Sequence, residues 1–230
     1  MAHLLYMIEN NGAETMLDSI RYSESNGSRF SGLLTAEATD QSVWNTVLAQ
    51  TPDYVVAPTL GSVIPHWHLV IPREPSINLH EHLFARRATD IRSIIAPVAN
   101  AMPSSQVLWF EHGPRRPGSV VGCGTDYAHL HVILDAPFSF EAFRSAARAA
   151  RVSWTRCDIE EAYGSIDGGD EYYAFGDVTS AYVSQGGEAP TSQLFRKIVA
   201  KLAGKAEEWD YRRFTHEACV RRTVEAWKAL

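Results

Sequence analysis

Two histidines separated by a single residue follow a glycine-bearing segment near the middle of the chain. His129 and His131 lie within residues 126–134, a run in which side chains of different polarity largely alternate. A period of two predicts a half-buried β-strand, and on such a strand both imidazoles point to the same face with their backbones about 7 Å apart. Imidazoles at that separation can meet one phosphate group or one metal ion.

The segment just before this strand, residues 118–124, contains three glycines. Glycine permits the backbone conformations in which successive N–H groups turn toward one anion. For a lone histidine a structural or surface role is the better interpretation. Two histidines on one face, directly after such a loop, favour a functional one, so the pattern predicts a phosphate site.

The composition is that of a globular protein with an acidic balance. The chain has 230 residues, of which 45% are hydrophobic and 21% charged, and its formal net charge is −6. This length allows one large domain or two small ones with a buried core. Because general affinity for nucleic acids and anionic membranes comes from a basic surface, the charge predicts neither of them as a partner. A small anionic ligand held in a local pocket is compatible with it.

Three cysteines, Cys123, Cys157 and Cys219, stand far apart in the sequence. An odd number without C-x-x-C pairs indicates neither a disulfide framework nor a zinc ribbon, which fits a reducing cytoplasm. The first residues lack a basic signal-peptide start, and no run has the length of a transmembrane helix. The sequence therefore predicts a cytoplasmic protein.

Apolar runs rich in β-branched and aromatic residues predict several strands besides the histidine strand. Two of them, at 53–58 and 67–72, should pair as an antiparallel hairpin with a wide loop, and a third lies at 106–111. Weaker signals at 171–175 and 181–183 predict edge strands.

Helical periodicity predicts the remaining elements. One helix should run from Ser76 or Asn78 to about residue 101, with His80 and His82 at its surface, and others at 138–151, 192–202 and 217–230. We divide the chain into a lead-in (1–40), a main domain (41–190) and a C-terminal helical extension packed on the same domain (191–230).

Four ordered motifs span about residues 40–215. They read Pro58-Thr59-Leu60-Gly61, then Pro65-His66-Trp67-His68-Leu69-Val70-Ile71-Pro72, then Cys123-Gly124-Thr125-Asp126-Tyr127-Ala128-His129-Leu130-His131, and finally Ser192-Gln193-Leu194-Phe195-Arg196 with Trp209-Asp210-Tyr211-Arg212. In this order they resemble the histidine triad (HIT) superfamily, in particular a bacterial HIT-like branch.

The resemblance implies an α+β fold built on a HIT-like antiparallel sheet of about five strands, with flanking helices and the C-terminal helical extension. It also implies hydrolysis or transfer at the α-phosphate of a nucleotidyl compound, such as a dinucleoside polyphosphate, a nucleoside phosphoramidate or a nucleotide-sugar. The expected partner is that nucleotide or nucleotidyl small molecule. The resemblance is also compatible with a homodimer. Neither a cofactor nor a metal is expected.

In the family pattern the nucleophile falls on His129 and the last triad histidine on His131, whereas the first position holds Tyr127, a departure from the pattern. A neutral imidazole attacks phosphorus through one ring nitrogen if the other donates its proton to a fixed acceptor. A nucleotidyl-histidine would form on His129 and then pass its nucleotidyl group to water or another acceptor. A tyrosine hydroxyl donates one hydrogen bond but carries no positive charge near neutral pH. A binding or regulatory module with weak or lost catalysis is therefore the alternative.

Further residues are expected to contact the substrate, each with a plain structural alternative. His131 and the N–H groups of Gly122, Cys123, Gly124 and Thr125 would hold the non-bridging oxygens as charge develops. His112 can replace the missing donor or be a loop histidine, and Trp67 can wall the nucleobase or belong to the core. Phosphate or leaving-group contacts, or else a solvated surface, are the interpretations for three more residues: Arg73, Gln193 and Arg196.

A zinc site is the third alternative. His66, His68, His112, His129 and His131 would have to converge for it. No cysteine pair or His-Glu motif lies nearby, so zinc ranks below the two nucleotide hypotheses.

Overall fold

The structure is a computed structural model that describes residues 29–35, 42–123, 125–150, 153–186 and 190–230. Most of the predicted lead-in lies outside these residues, as does Gly124 of the predicted phosphate loop.

A single antiparallel sheet runs through the described part of the chain. Its eight strands are β1 (Ala49–Gln50), β2 (Tyr54–Pro58), β3 (Trp67–Pro72), β4 (Val107–Gly113), β5 (Leu130–Leu134), β6 (Thr155–Asp158), β7 (Tyr172–Gly176) and β8 (Ser180–Gln185). Among the described residues they pair in the order β1-β2-β3-β5-β4-β7-β8-β6. The hairpin predicted from 53–58 and 67–72 is confirmed as β2 and β3, which pair antiparallel.

The expected count of about five strands is wrong, and so is the placement of β7 and β8 at an edge. β7 pairs with β4 and β8, and β8 pairs with β6, which forms that edge of the sheet. β6 is mostly exposed and β1 has two residues, so neither has the apolar run from which a strand is predicted.

Six helices are described: α1 (Arg29–Thr35), α2 (Leu79–Ala85), α3 (Arg92–Ala99), α4 (Phe140–Ala149), α5 (Leu194–Leu202) and α6 (Glu217–Lys228). The single helix predicted from Ser76 or Asn78 to residue 101 is two helices. Asn78 does cap the first, since its side chain accepts a hydrogen bond from the Glu81 N–H at 2.8 Å. The break follows at Arg87, whose φ of 54° lies in the left-handed region that ends helices. His82, predicted at the surface, is buried beside the Tyr54 hydroxyl.

Side chains alternate between the two sides of the sheet. We call the side that carries Val70, Trp109 and Val132 the first face; α2 and α3 pack on it. The side that carries Trp67 and Phe110 is the second face, and α4 and α5 pack on it. α1 covers the β2–β3 end of the second face. The strand alternation thus sorts the aromatic and histidine side chains onto opposite layers.

The C-terminal helix α6 is docked on the first face through a buried histidine. The Trp227 indole N–H donates to Nε2 of His68 at 2.9 Å, and Nδ1 of His68 lies 3.2 Å from the Val132 carbonyl. Burial lowers the pKa of His68 to about 3, so its ring is neutral at physiological pH. Both ring nitrogens are used in packing. The division into 1–40, 41–190 and 191–230 stays a prediction.

A buried carboxyl group joins β4 to the start of α2 on the first face. Glu111 accepts hydrogen bonds from the Leu79 N–H at 2.7 Å and from the hydroxyls of Tyr163 and Tyr172 at 2.6 and 2.7 Å. Burial raises its pKa to about 7, against the lowering effect of those donors. The group therefore titrates near neutral pH.

Replacing Glu111 with Gln should remove a pH dependence of stability. A carboxyl whose pKa is higher in the folded than in the unfolded state stabilises the fold most when protonated, and that contribution is lost as the pH rises through about 7. Wild-type protein should lose up to ~3 kcal/mol in the free energy of unfolding between about pH 5 and about pH 8. Urea unfolding should show a flatter profile for Glu111→Gln, whereas the exposed-site control Glu207→Gln should follow wild type. Equal profiles for all three proteins would contradict the assignment.

Candidate functional site

The histidine pair lies on the second face, where β5 runs between β3 and β4. His131 is opposite Leu69 of β3 and Phe110 of β4. His129 directly precedes β5, which begins at Leu130 and is shorter than the predicted strand at 126–134. The two imidazole centroids are 5.0 Å apart with ring planes at 72°. The structure thus brings the two sequence-predicted histidines together.

The ring of His129 is oriented by a backbone carbonyl. Its Nδ1 lies 2.7 Å from the carbonyl oxygen of Tyr127, two residues earlier. Because a carbonyl only accepts hydrogen bonds, Nδ1 carries the proton and the neutral ring has its lone pair on Nε2. The residue is partly exposed. This is the tautomer that a nucleophilic histidine needs.

The ring of His131 has the opposite tautomer. The indole N–H of Trp67 donates to its Nδ1 at 3.0 Å, and an indole nitrogen can only donate. The proton of the neutral His131 ring is therefore on Nε2. The side chain is only 4% exposed and stacks on Phe110 with centroids 4.7 Å apart. His131 is an N–H donor beside the His129 ring.

A third histidine, His112 of β4, lies on the same face with its ring centroid 6.4 Å from that of His131. Its Nε2 accepts a hydrogen bond from the Phe195 N–H at 3.3 Å, so a neutral ring carries its proton on Nδ1. Burial lowers the pKa of His112 to about 3, and the positive charge of Arg196, with that of His129 when its ring is protonated, acts in the same direction. His112 is thus a neutral donor near the pair. The sequence could not distinguish this position from a loop.

The hydroxyl of Tyr127 does not take the place of a triad histidine. It donates to the carbonyl oxygen of Pro72 at 3.1 Å, with that of Arg73 at 3.3 Å. Burial raises the pKa of Tyr127 to about 12, so the group stays neutral. The expected role as a catalytic donor therefore lacks support in the geometry. The residue reaches the site through its backbone carbonyl, which holds His129.

Two of the four amides expected to hold the phosphate donate to carbonyls within the same segment. The Cys123 N–H donates to the Val120 carbonyl at 3.3 Å and the Thr125 N–H to that of Gly122 at 3.0 Å. These two amides close consecutive tight turns, so the expectation that they face an anion does not hold. The predicted contact through Gly122 stays a prediction.

Cys123 joins this loop to the C-terminal part of the chain. The Gln193 N–H donates to its thiol, and its carbonyl accepts from the Tyr211 hydroxyl at 3.3 Å and from Arg212 at 3.2 Å. Burial raises the pKa of the Cys123 thiol, which keeps it protonated. The residue connects elements and is not poised as a thiolate.

Arg196 was predicted to contact phosphate, but its guanidinium is buried. It donates to the carbonyls of Leu60 at 2.8 Å and Gly61 at 3.1 Å. Its guanidinium carbon lies over two aromatic rings, 4.9 Å from the centroid of Trp67 and 5.0 Å from that of Tyr211. Burial lowers its pKa to about 10, which still leaves it protonated at neutral pH. Arg196 therefore holds the loop after β2.

Two more predicted contacts have structural partners. Arg73 donates through Nε to the Thr51 carbonyl at 2.9 Å and through Nη2 to Gln50 at 2.9 Å, which fixes it on the turn between β1 and β2. Gln193 is buried with a left-handed φ of 55° and donates to Asp210 at 3.5 Å. Within the described residues its Oε1 has no hydrogen-bond partner. Gln193 contacts the glycine-bearing loop, because its N–H donates to the Cys123 thiol, whereas the hydrogen bonds of Arg73 lie at the turn between β1 and β2.

The sequence reasoning missed Phe30 of α1. Its ring lies edge-on to His129 with centroids 5.2 Å apart, and to Tyr127 at 5.9 Å. Nothing in the local pattern around Phe30 links it to a strand about a hundred residues later. The hydrogen bond from Arg212 to the Cys123 carbonyl, in contrast, could have been predicted, since Arg212 is the last residue of the four ordered motifs.

No set of three histidine, cysteine or acidic side chains suited to a metal ion occurs among the residues that the structure describes. His68 lies on the first face of the sheet and His131 on the second, so the five histidines of the zinc hypothesis do not converge. Within the same residues, the helices are too short or too polar to cross a membrane.

Comparisons with known proteins give partial similarities to solved structures only. No family model and no curated protein matches the chain. Among solved structures, a Hit-like protein involved in cell-cycle regulation from Bartonella henselae matches with a TM-score of 0.33 and 20% identity, over 47% of this chain and 77% of that one. Yeast Ap4A phosphorylase Apa2 in complex with Ap4A matches with a TM-score of 0.41 and 11% identity, over 83% of this chain and 79% of that one. In complex with AMP it gives 0.40 and 12%, over 69% and 64%. Similarities of this size do not establish a shared activity.

Replacing Arg196 with Met should destabilise the protein. The change removes the donors to the buried Gly61 carbonyl and the partly buried Leu60 carbonyl, which should lower the free energy of unfolding by ~2–4 kcal/mol in urea denaturation. The matched control is Arg213→Met, which removes an exposed guanidinium that also lies over an aromatic ring, that of Phe214. It should change the free energy of unfolding by less than ~0.5 kcal/mol. Wild-type stability for Arg196→Met would instead favour a solvated arginine available for phosphate.

Proposed function

We propose that this chain is a HIT-type enzyme that hydrolyses or transfers the nucleotidyl group of a small molecule by attack of His129 on the α-phosphate. The hydrogen bond from His129 Nδ1 to the Tyr127 carbonyl carries the proposal, because it leaves the lone pair of the neutral ring on Nε2.

The reaction has two displacements at phosphorus. In the first, the Nε2 lone pair of His129 forms a P–N bond while the bond from phosphorus to the leaving group breaks, with its electron pair going to the leaving group. The positive ring that results keeps its Nδ1–H on the Tyr127 carbonyl, which stabilises the charge. In the second, water or another acceptor attacks phosphorus, the P–N bond breaks with its electron pair returning to Nε2, and the proton of the acceptor passes to solvent.

Neighbouring N–H groups stabilise the charge that develops on the phosphoryl oxygens. His131 offers Nε2–H because Trp67 occupies its Nδ1, and His112 offers Nδ1–H because Phe195 occupies its Nε2. Donors fixed in advance by the fold do not have to reorganise during the reaction. The two rings therefore take over the role first expected of the loop amides.

The donor groups of the site also select the leaving group. The Tyr127 hydroxyl is neutral and donates its hydrogen bond to the Pro72 carbonyl, and the His112 ring is neutral because it is buried. Neither group therefore supplies a proton readily. A leaving group that is stable as an anion needs no such proton. The site therefore suits dinucleoside polyphosphates and nucleotide-sugars better than nucleoside phosphoramidates, whose amine must be protonated.

Replacing His129 with Ala should lower kcat by at least ~1,000-fold on a dinucleoside polyphosphate, because the nucleophile is removed. Intact-mass spectrometry at neutral pH should show a nucleotidyl adduct on wild-type protein and none on the variant. The matched control is His80→Ala, which changes a histidine of α2 on the other side of the sheet and should behave as wild type. Turnover by His129→Ala at the control rate would exclude the mechanism.

Replacing Tyr127 with Phe should leave kcat within ~3-fold of wild type, because the backbone carbonyl that holds His129 is retained. The lost hydrogen bond to Pro72 should cost about 1 kcal/mol of stability. Steady-state kinetics and urea unfolding measure the two effects. A fall in kcat of more than ~10-fold would restore the hydroxyl as a catalytic donor.

A nucleotide-binding or regulatory module is the second candidate. Phe30 favours it, since its ring packs against the proposed nucleophile. Calorimetry with a mononucleotide, read beside the adduct and turnover assays, separates the two functions: binding without adduct or turnover indicates the module. A homodimer, a cytoplasmic location and the absence of cofactors and nucleic-acid partners stay predictions.

A further inference from the structure

We infer that Trp67 is a positioning residue whose indole N–H fixes the proton of His131 on Nε2, and that the buried Arg196 fixes the indole in turn. The catalytic consequence rests on the proposed function, whereas the position of the proton does not. Trp67 was predicted from sequence as a nucleobase wall or a core residue. In the structure its ring is fully buried and its polar atom points at a histidine.

The hydrogen bond between Trp67 and His131 has only one direction. The indole nitrogen has a proton and no acceptor orbital, so the 3.0 Å contact requires an unprotonated Nδ1. If the His131 proton moved to Nδ1, two N–H groups would face each other in a buried site, and both would be unsatisfied. The favoured tautomer should therefore exceed the other by on the order of 10-fold or more.

Arg196 prevents the indole from turning away. Its guanidinium lies 4.9 Å from the Trp67 ring centroid, and its Nη1 and Nη2 groups each donate to a carbonyl, those of Gly61 and Leu60. No salt bridge to Arg196 is present within the described ranges. A cation on the ring face attracts the π electrons, which makes the indole N–H a stronger donor.

Trp109 shows what a buried tryptophan does without this role. It is as fully buried as Trp67, on the first face, and its indole N–H donates to the Asp177 carbonyl at 2.8 Å. A backbone carbonyl satisfies a buried indole without affecting any titratable group. Trp67 instead donates to a side chain with two tautomers and decides between them.

The proton on Nε2 of His131 determines what the ring offers a ligand. As Nε2–H it donates to a phosphoryl oxygen beside His129, whereas in the other tautomer its lone pair would repel that oxygen. Trp67 touches neither the substrate nor the reacting atoms in this scheme. Its loss should therefore affect the chemical step more than substrate binding.

The test compares Trp67→Phe with Trp109→Phe, two changes that remove a buried indole N–H from opposite faces. Ring ¹⁵N NMR should show wild-type His131 with an unprotonated Nδ1 and a protonated Nε2, the same in Trp109→Phe, and a tautomer mixture in Trp67→Phe. On a substrate, Trp67→Phe should lower kcat ~10-fold or more with KM within ~3-fold, and Trp109→Phe should stay near wild type. A His131 tautomer unchanged by Trp67→Phe, or equal kinetics for both variants, overturns the inference.

Two measurements keep the inference separable from folding and from the proposed function. Wild-type protein labelled with ¹⁵N should show a coupling across the hydrogen bond between Trp67 Nε1 and His131 Nδ1, which needs no variant. Its absence overturns the inference even if Trp67→Phe does not fold. If wild-type protein shows the coupling but neither adduct nor turnover, the proposed function fails and the positioning role of Trp67 stands.

Discussion

Hydrogen bonds that can run in only one direction set the state of each imidazole on the second face. A carbonyl accepts from His129, an indole donates to His131 and a backbone amide donates to His112. None of these partners can exchange the roles of donor and acceptor, so the position of each ring proton follows from the fold. Around the buried rings of His131 and His112 the alternative tautomers would leave polar atoms unsatisfied, which constrains everything packed around them.

The elements around the site preserve these partners. Arg196 holds the loop after β2 by its carbonyls, and Gly61 in that loop is so close to Tyr211 that a Cβ would lie 2.4 Å from the Tyr211 Cβ. Glycine is also required there by a φ of 69°. The same C-terminal segment reaches the carbonyl of Cys123 through Arg212. Residues distant in sequence thus fix the two loops that flank the histidines.

Some of the site was predictable because its signal is local. The pairing of His129 and His131 follows from the period of a strand, and the hairpin of β2 and β3 from two apolar runs. Arg196 and the loop amides were misjudged for a common reason. Their residue types suit phosphate, but a buried arginine and tight turns bind backbone carbonyls first, and sequence does not show which carbonyls come within reach.

The sequence alone determined that two imidazoles share one strand face after a glycine-bearing loop, since side-chain alternation needs nothing beyond the backbone. Only the tertiary structure decided that His112 joins them, that β6 is an edge of a sheet with eight strands in the described part of the chain, and that Trp67 selects the tautomer of His131. These depend on contacts between segments separated by tens of residues. Such contacts arise from burial and hydrogen-bond satisfaction over the whole fold, and no local pattern of residues encodes them.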